Sequence, residues 1–103
     1  MAPAESVGGV PIRLTEERWR HIVAGHPEMA NERDRVLQTV EAPDLVQAGD
    51  FGELLAIRHW PITAFGSKFV VVAYREVDRT DGFVLTAYLT RRPSRLRKVL
   101  WKR

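Results

Sequence analysis

Lys68-Phe-Val-Val-Val-Ala-Tyr-Arg-Glu-Val77 and, after a five-residue break, Phe83-Val-Leu-Thr-Ala-Tyr-Leu-Thr90 decide how this chain folds. Both runs are rich in β-branched and aromatic residues, which suit a pleated surface. The break, Asp78-Arg79-Thr80-Asp81-Gly82, is made of turn formers at hairpin length. Upstream, Thr63-Ala64-Phe65-Gly66-Ser67 links the first run to another strand-like segment, Glu53–Ile62. Consecutive strands joined by short links predict an antiparallel sheet. Leu45-Val46 adds a short strand before the turn Gly49-Asp50-Phe51-Gly52, and Val10–Leu14 alternates as another.

Period-two alternation divides this sheet into two faces. Leu55, Ile57, Phe69, Val71, Ala73, Phe83, Leu85, Ala87 and Leu89 fall on one, which is the expected seat of the helices. Arg58, Trp60, Val70, Val72, Tyr74, Val84, Thr86, Tyr88 and Thr90 fall on the other. That mixed face carries too little charge for plain solvent, so it suits a partial cover or a ligand. Arg75 falls on the opposite face, near the strand end.

Two helices precede the sheet. Thr15 is a good N-cap, Glu16 and Glu17 suit the positive helix end, and Gly25-His26-Pro27 stops the run. Trp19, Ile22 and Val23 share its apolar side. A second helix is expected over Met29–Glu41, burying Val36, Leu37 and Val40 and ending before Pro43. The sum is one α+β domain: two N-terminal helices packed on a mainly antiparallel four- to five-stranded sheet, with a basic C-terminal tail. Residues 1–9 read as a flexible arm, 10–90 as the core and 91–103 as the tail. The tail is expected as a helix through Leu96, Val99, Leu100 and Trp101, lying across the end of the mixed face.

Charge is unevenly placed. Residues 1–90 carry nine Lys and Arg against thirteen Asp and Glu, whereas residues 91–103 carry seven basic residues and no acid. Such a block attracts polyanions or solvates a chain end. With no cysteine, disulfides, thiolate zinc sites and cysteine nucleophiles are excluded. No signal-peptide pattern or long apolar run appears, so no membrane contact and a cytoplasmic location are expected. Phosphate-cradling glycine loops and GxSxG are absent as well.

His21 and His26 are the candidate acid/base pair, because imidazole can both accept and donate a proton near neutral pH. They leave the helix in different directions. Their spacing of five does not suit a shared metal, so no metal or cofactor is expected. The plainer reading makes His26 a helix cap and His21 a surface residue; His59, between Arg58 and Trp60, reads as structural. Arg58, Thr86 and Tyr88 could hold a phosphate, position it and transfer a proton or stack a base; Tyr74 shares their expected face. Cross-strand packing would explain the same residues. Glu28 and Asp44, each after a proline at a helix boundary, either cap or orient a histidine.

The order strand–helix–helix–sheet, with His21-Ile22, His26-Pro27-Glu28, Pro43-Asp44 and Thr86-Ala87-Tyr88, resembles the Barnase–EndoU–colicin–RelE superfamily of toxin-like ribonucleases over about residues 12–90. It looks closest to the branch associated with phages and mobile elements. The resemblance implies a metal-independent endoribonuclease of toxin type, with His21, His26, Thr86 and Tyr88 as motif-matched catalytic candidates. Arg58 is added from the face argument. RNA would be held by Tyr74, Arg91, Arg92 and Arg95, and a cognate antitoxin is the implied protein partner. The competing reading is a non-catalytic module binding RNA or protein.

Overall fold

A computed structural model describes residues 4–103. Seven strands form one sheet: β1 Ala4–Glu5, β2 Pro11–Arg13, β3 Leu45–Ala48, β4 Leu54–Trp60, β5 Lys68–Asp78, β6 Asp81–Thr90 and β7 Val99–Lys102. Their order across the sheet is β1-β2-β6-β5-β4-β3-β7. Helix α1 spans Glu16–Gly25 and α2 spans Arg33–Glu41. The α+β class stands, but the expected four- to five-stranded antiparallel sheet does not. The observed sheet is a larger, curled, mixed one, because both chain ends add strands to it.

At the N-terminal end, β1 pairs antiparallel with β2, and β2 pairs parallel with β6 through Ile12↔Gly82 and Arg13↔Phe83. Gly82 permits this close docking, since a Cβ there would lie 2.5 Å from the Arg75 carbonyl and 2.6 Å from Ile12 Cδ1. The arm expected over 1–9 is therefore partly sheet: Ala4 and Ser6 are buried, and residues 1–3 lie outside the described part.

The C-terminal tail is a strand, not a helix. β7 pairs antiparallel with β3 through Leu45↔Lys102, Val46↔Trp101 and Gln47↔Val99. Val99 and Trp101 favour an extended chain, and β3 offers them a free edge to pair with. Strands β6 and β7 run parallel with three strands between them, so residues 91–98 must cross the sheet to connect them.

The helices begin and end for local reasons. Thr15 accepts a hydrogen bond from Arg18 N at 3.1 Å, capping α1. After α1, a single 3-10 turn at Pro27–Met29 buries Met29 completely, so α2 starts four residues later than the sequence suggests. α1 packs over β6 and α2 over β4 and β5. Trp19, Ile22, Met29, Val36 and Val40 meet Ile12, Ala56, Val70, Val72, Tyr74, Val84 and Ala87 in the main core.

The helices thus cover the face expected to stay mixed. Fully burying each large apolar side chain there contributes about 1.5–3 kcal/mol. A bulge in β6 alters the face assignment further. Tyr74 pairs with Val84 but Ala73 pairs with Thr86, leaving Leu85 as the extra residue. Beyond Leu85 the alternation of β6 is inverted. Ala87 turns toward the helices, while Thr86, Tyr88 and Thr90 turn to the opposite face.

Candidate functional site

Register rows define that opposite face. One row runs Lys102–Leu45–Ile57–Val71–Tyr88, its neighbour Val99–Gln47–Leu55–Ala73–Thr86, and a third His59–Phe69–Thr90. The floor is apolar: Leu55, Ile57, Val71 and Ala73 form a second core, with Leu45, Phe69, Leu85 and Tyr88 packed against it.

Residues 91–98 form a strap over this floor. Thr90 Oγ1 accepts from Arg92 N at 3.4 Å and donates to Arg92 O at 3.1 Å, turning the chain off β6. Gln47, buried on the face, donates from Nε2 to Ser94 O at 2.7 Å. Ala48 N donates to Lys98 O at 2.9 Å, where the strap reaches the far edge. Arg97 grips Asp50 through two hydrogen bonds of 2.8 and 3.2 Å. That bond raises the Arg97 guanidinium above its ordinary value, with the nearby charges of Asp50, Tyr88 and Glu53 adding to it.

Between strap and floor lies a groove of about 730 Å³, bordered by Leu45, Gln47, Phe69, Arg91, Arg92 and Arg95. Among the described residues, Arg91, Arg92 and Arg95 form no ion pair, and all three are exposed. Unpaired guanidinia around an apolar floor suit a planar, anionic ligand.

His26 reaches this face around an edge. β2 pairs with only the start of β6, leaving Thr86–Thr90 as an open border beside the Pro27–Met29 turn. There the His26 ring lies 5.8 Å from the Tyr88 ring, tilted by 31°. Its Nδ1 is 3.5 Å from Glu28 Oε2, so the carboxylate two residues on can orient the imidazole. Thr86 sits on the same face two residues before Tyr88.

The other candidates lie elsewhere. His21 is exposed on α1, in a shallow hollow with Thr15, Glu17 and Arg18. Arg58 stands on the helix face, its guanidinium 4.3 Å from the Trp60 ring centre, with Arg35 5.1 Å from that ring. Trp60 Nε1 donates to Thr39 Oγ1 at 3.2 Å, so this stack ties α2 to β4. Tyr74 is completely buried among the helices and cannot meet a ligand at the surface. Its hydroxyl has no partner among the described residues, and burial, with the Glu76 charge adding, pushes it up to about 12. Arg75 donates to Phe51 O at 2.8 Å. Asp44 accepts from His59 N at 2.8 Å and pairs with Arg103 at 3.3 Å, fixing strand ends.

Sequence reasoning missed Phe69, Gln47 and Arg97. The signal for the first two was present in the alternation of β3 and β5, once the correct face is known. Arg97 required the crossover. Among the described residues no group of three His, Asp or Glu converges for a metal, and no helix is long and apolar enough to cross a membrane. No family model, curated protein or solved structure matches this chain.

Proposed function

We propose that the chain is a metal-independent endoribonuclease of toxin type, related to the Barnase–EndoU–colicin–RelE superfamily and acting in the cytoplasm under the control of a cognate antitoxin. The observation that carries this reading is the His26–Tyr88 approach on the sheet face that also carries a groove rimmed by unpaired arginines. RNA lies along the groove with its phosphates on Arg91, Arg92 and Arg95. His26, oriented by Glu28, takes the proton from a ribose 2′-hydroxyl. The 2′-oxygen then bonds to phosphorus, the P–O5′ bond breaks, and Tyr88 protonates the departing 5′-oxygen. A 2′,3′-cyclic phosphate and a free 5′-hydroxyl result. Thr86 lies on the same face to hold a non-bridging oxygen.

The test is cleavage of mixed RNA by the purified protein in EDTA. Activity should persist without divalent ions and fall by about 10²-fold or more in His26→Ala, the contribution of one general base. Tyr88→Phe should lose activity too, while His21→Ala keeps it. Unchanged activity in His26→Ala would falsify the assignment.

A second reading, a non-catalytic RNA-binding module, is favoured by the position of His21, which leaves His26 without a second histidine beside Tyr88. Its mark is RNA retention without cleavage, lost in the triple Arg91→Ala, Arg92→Ala, Arg95→Ala variant. Truncating residues 91–103 is unsuitable, since it removes β7 and the strap together.

A further inference from the structure

His59, Phe69 and Thr90 form one row across the sheet, in which Phe69 lines the groove and Thr90 directly precedes the arginines of the strap. The His59 and Phe69 rings lie 4.9 Å apart at 53°, making a wedge. His59 is exposed, yet it is held in place: Nε2 meets Ser67 Oγ at 2.7 Å, and its backbone N–H is fixed by Asp44. Nδ1 has no partner among the described residues. Phe69 lines the groove itself, beside Arg91 and Arg92.

The solvent-facing His59 ring is held by Ser67 and set against a phenyl ring, while Asp44 holds the backbone beneath it. Next to it, two guanidinia lack carboxylate partners. Aromatic faces beside unpaired cations are the chemistry of single-stranded nucleic acid, where a base stacks while its phosphate is neutralised. A duplex presents no free base face and would engage the arginines alone.

We infer that the His59–Phe69 wedge is a subsite for one unpaired RNA base, with Arg91 and Arg92 holding the adjoining phosphates. This rests on the reading of the groove as an RNA site, and it names the substrate as single-stranded. His59 Nδ1 faces the base edge and Phe69 its ring. The subsite lies apart from the His26–Tyr88 border, so it selects and positions RNA without taking part in proton transfer.

The test uses the full chain and a fluorescein-labelled 2′-O-methyl oligouridylate of about ten residues, which cannot be cleaved and fits a single-strand site. The same strand annealed to its complement supplies the duplex arm, and anisotropy gives both affinities. His59→Ala and Phe69→Leu should each weaken the single strand about tenfold, one stacking contact, and leave the duplex unchanged. The dependence of affinity on salt should stay as in the unaltered chain. The Arg91→Ala, Arg92→Ala variant should instead lower that slope by about 1.4, two single-strand phosphates.

Because Phe69 also packs on the floor, the decision rests on His59→Ala, whose exposed ring can be removed without disturbing the Asp44 bond. Equal weakening of both probes, or single-strand affinity unchanged in His59→Ala, removes the subsite but leaves the RNA groove. Displacement of the single strand by polyglutamate as readily as by unlabelled oligonucleotide also overturns it, in favour of an acidic protein partner. If the unaltered chain binds neither probe, the RNA reading falls and takes the subsite with it.

Discussion

On one side of the sheet, Ile12, Val70, Val72 and Val84 are sealed by two helices; on the other, Leu55, Ile57, Val71 and Ala73 are sealed by a strap carrying four arginines. The helices satisfy their own backbone groups and can present an unbroken aliphatic surface. The strap has no such internal ladder. It borrows bonds from Gln47, Ala48 and Thr90, and it leaves a groove where it stands off the floor. One cover provides stability, and the other provides a surface that can hold a ligand.

The largest effect should come from the helix side. Ile12→Ala is expected to cost about 2–5 kcal/mol in urea unfolding, because close-packed helices cannot collapse into the space left. Ile57→Ala, equally buried but under the strap, should cost only about 2 kcal/mol as the irregular chain settles. Equal costs would erase the distinction between the covers.

Tyr74 sharpens the contrast through pH. Folding raises it to about 12 from an ordinary 10, so its stabilising contribution is complete below pH 10 and is lost as pH rises toward 12. Tyr74→Phe should therefore lose less stability than the unaltered chain across that window when both are melted in parallel. At neutral pH the variant should be equal to it, or up to about 1 kcal/mol more stable, since an unpartnered hydroxyl is gone. A larger alkaline loss in the variant would contradict the buried position.

The smallest effect on global stability concerns the strap's clasp. In Arg97→Ala, trypsin should cut after Arg91 and Arg95 several-fold faster, with little change in the melting temperature. A large drop in melting temperature with no faster cutting would mean that the strap belongs to the rigid core.

Both helices, the three long strands and the link positions were legible from periodicity and turn chemistry. The edges were not. Ala4-Glu5 and Val99–Lys102 are too short to show alternation, and their partners lie far away in sequence: Ile12 meets Gly82, and Val46 meets Trp101. Faces were assigned by strict alternation, which holds through β4 and most of β5. It fails in β6, where Leu85 carries no sequence mark of a bulge. That one residue separates Thr86 and Tyr88 from Arg58 and Tyr74, which alternation had placed together. Tyr74 kept its expected face, and it appears as a core residue rather than an RNA contact because the helices cover that face. His26 was identifiable by residue type, but its approach to Tyr88 depends on β2 ending early.

The extra residue at Leu85 makes this site more sensitive to a change in chain length than to a change in side chain. Deleting it would restore the phase of β6 and rotate every later residue by half a repeat. Tyr88 and Thr86 would be driven under the helices, and Ala87 and Leu89 would be turned into the groove. A deletion of the same size in the exposed 63–67 link would move nothing of the kind. The chain's chemistry thus depends on a frame kept within one strand, where adding or losing a single unit exchanges the inside for the outside.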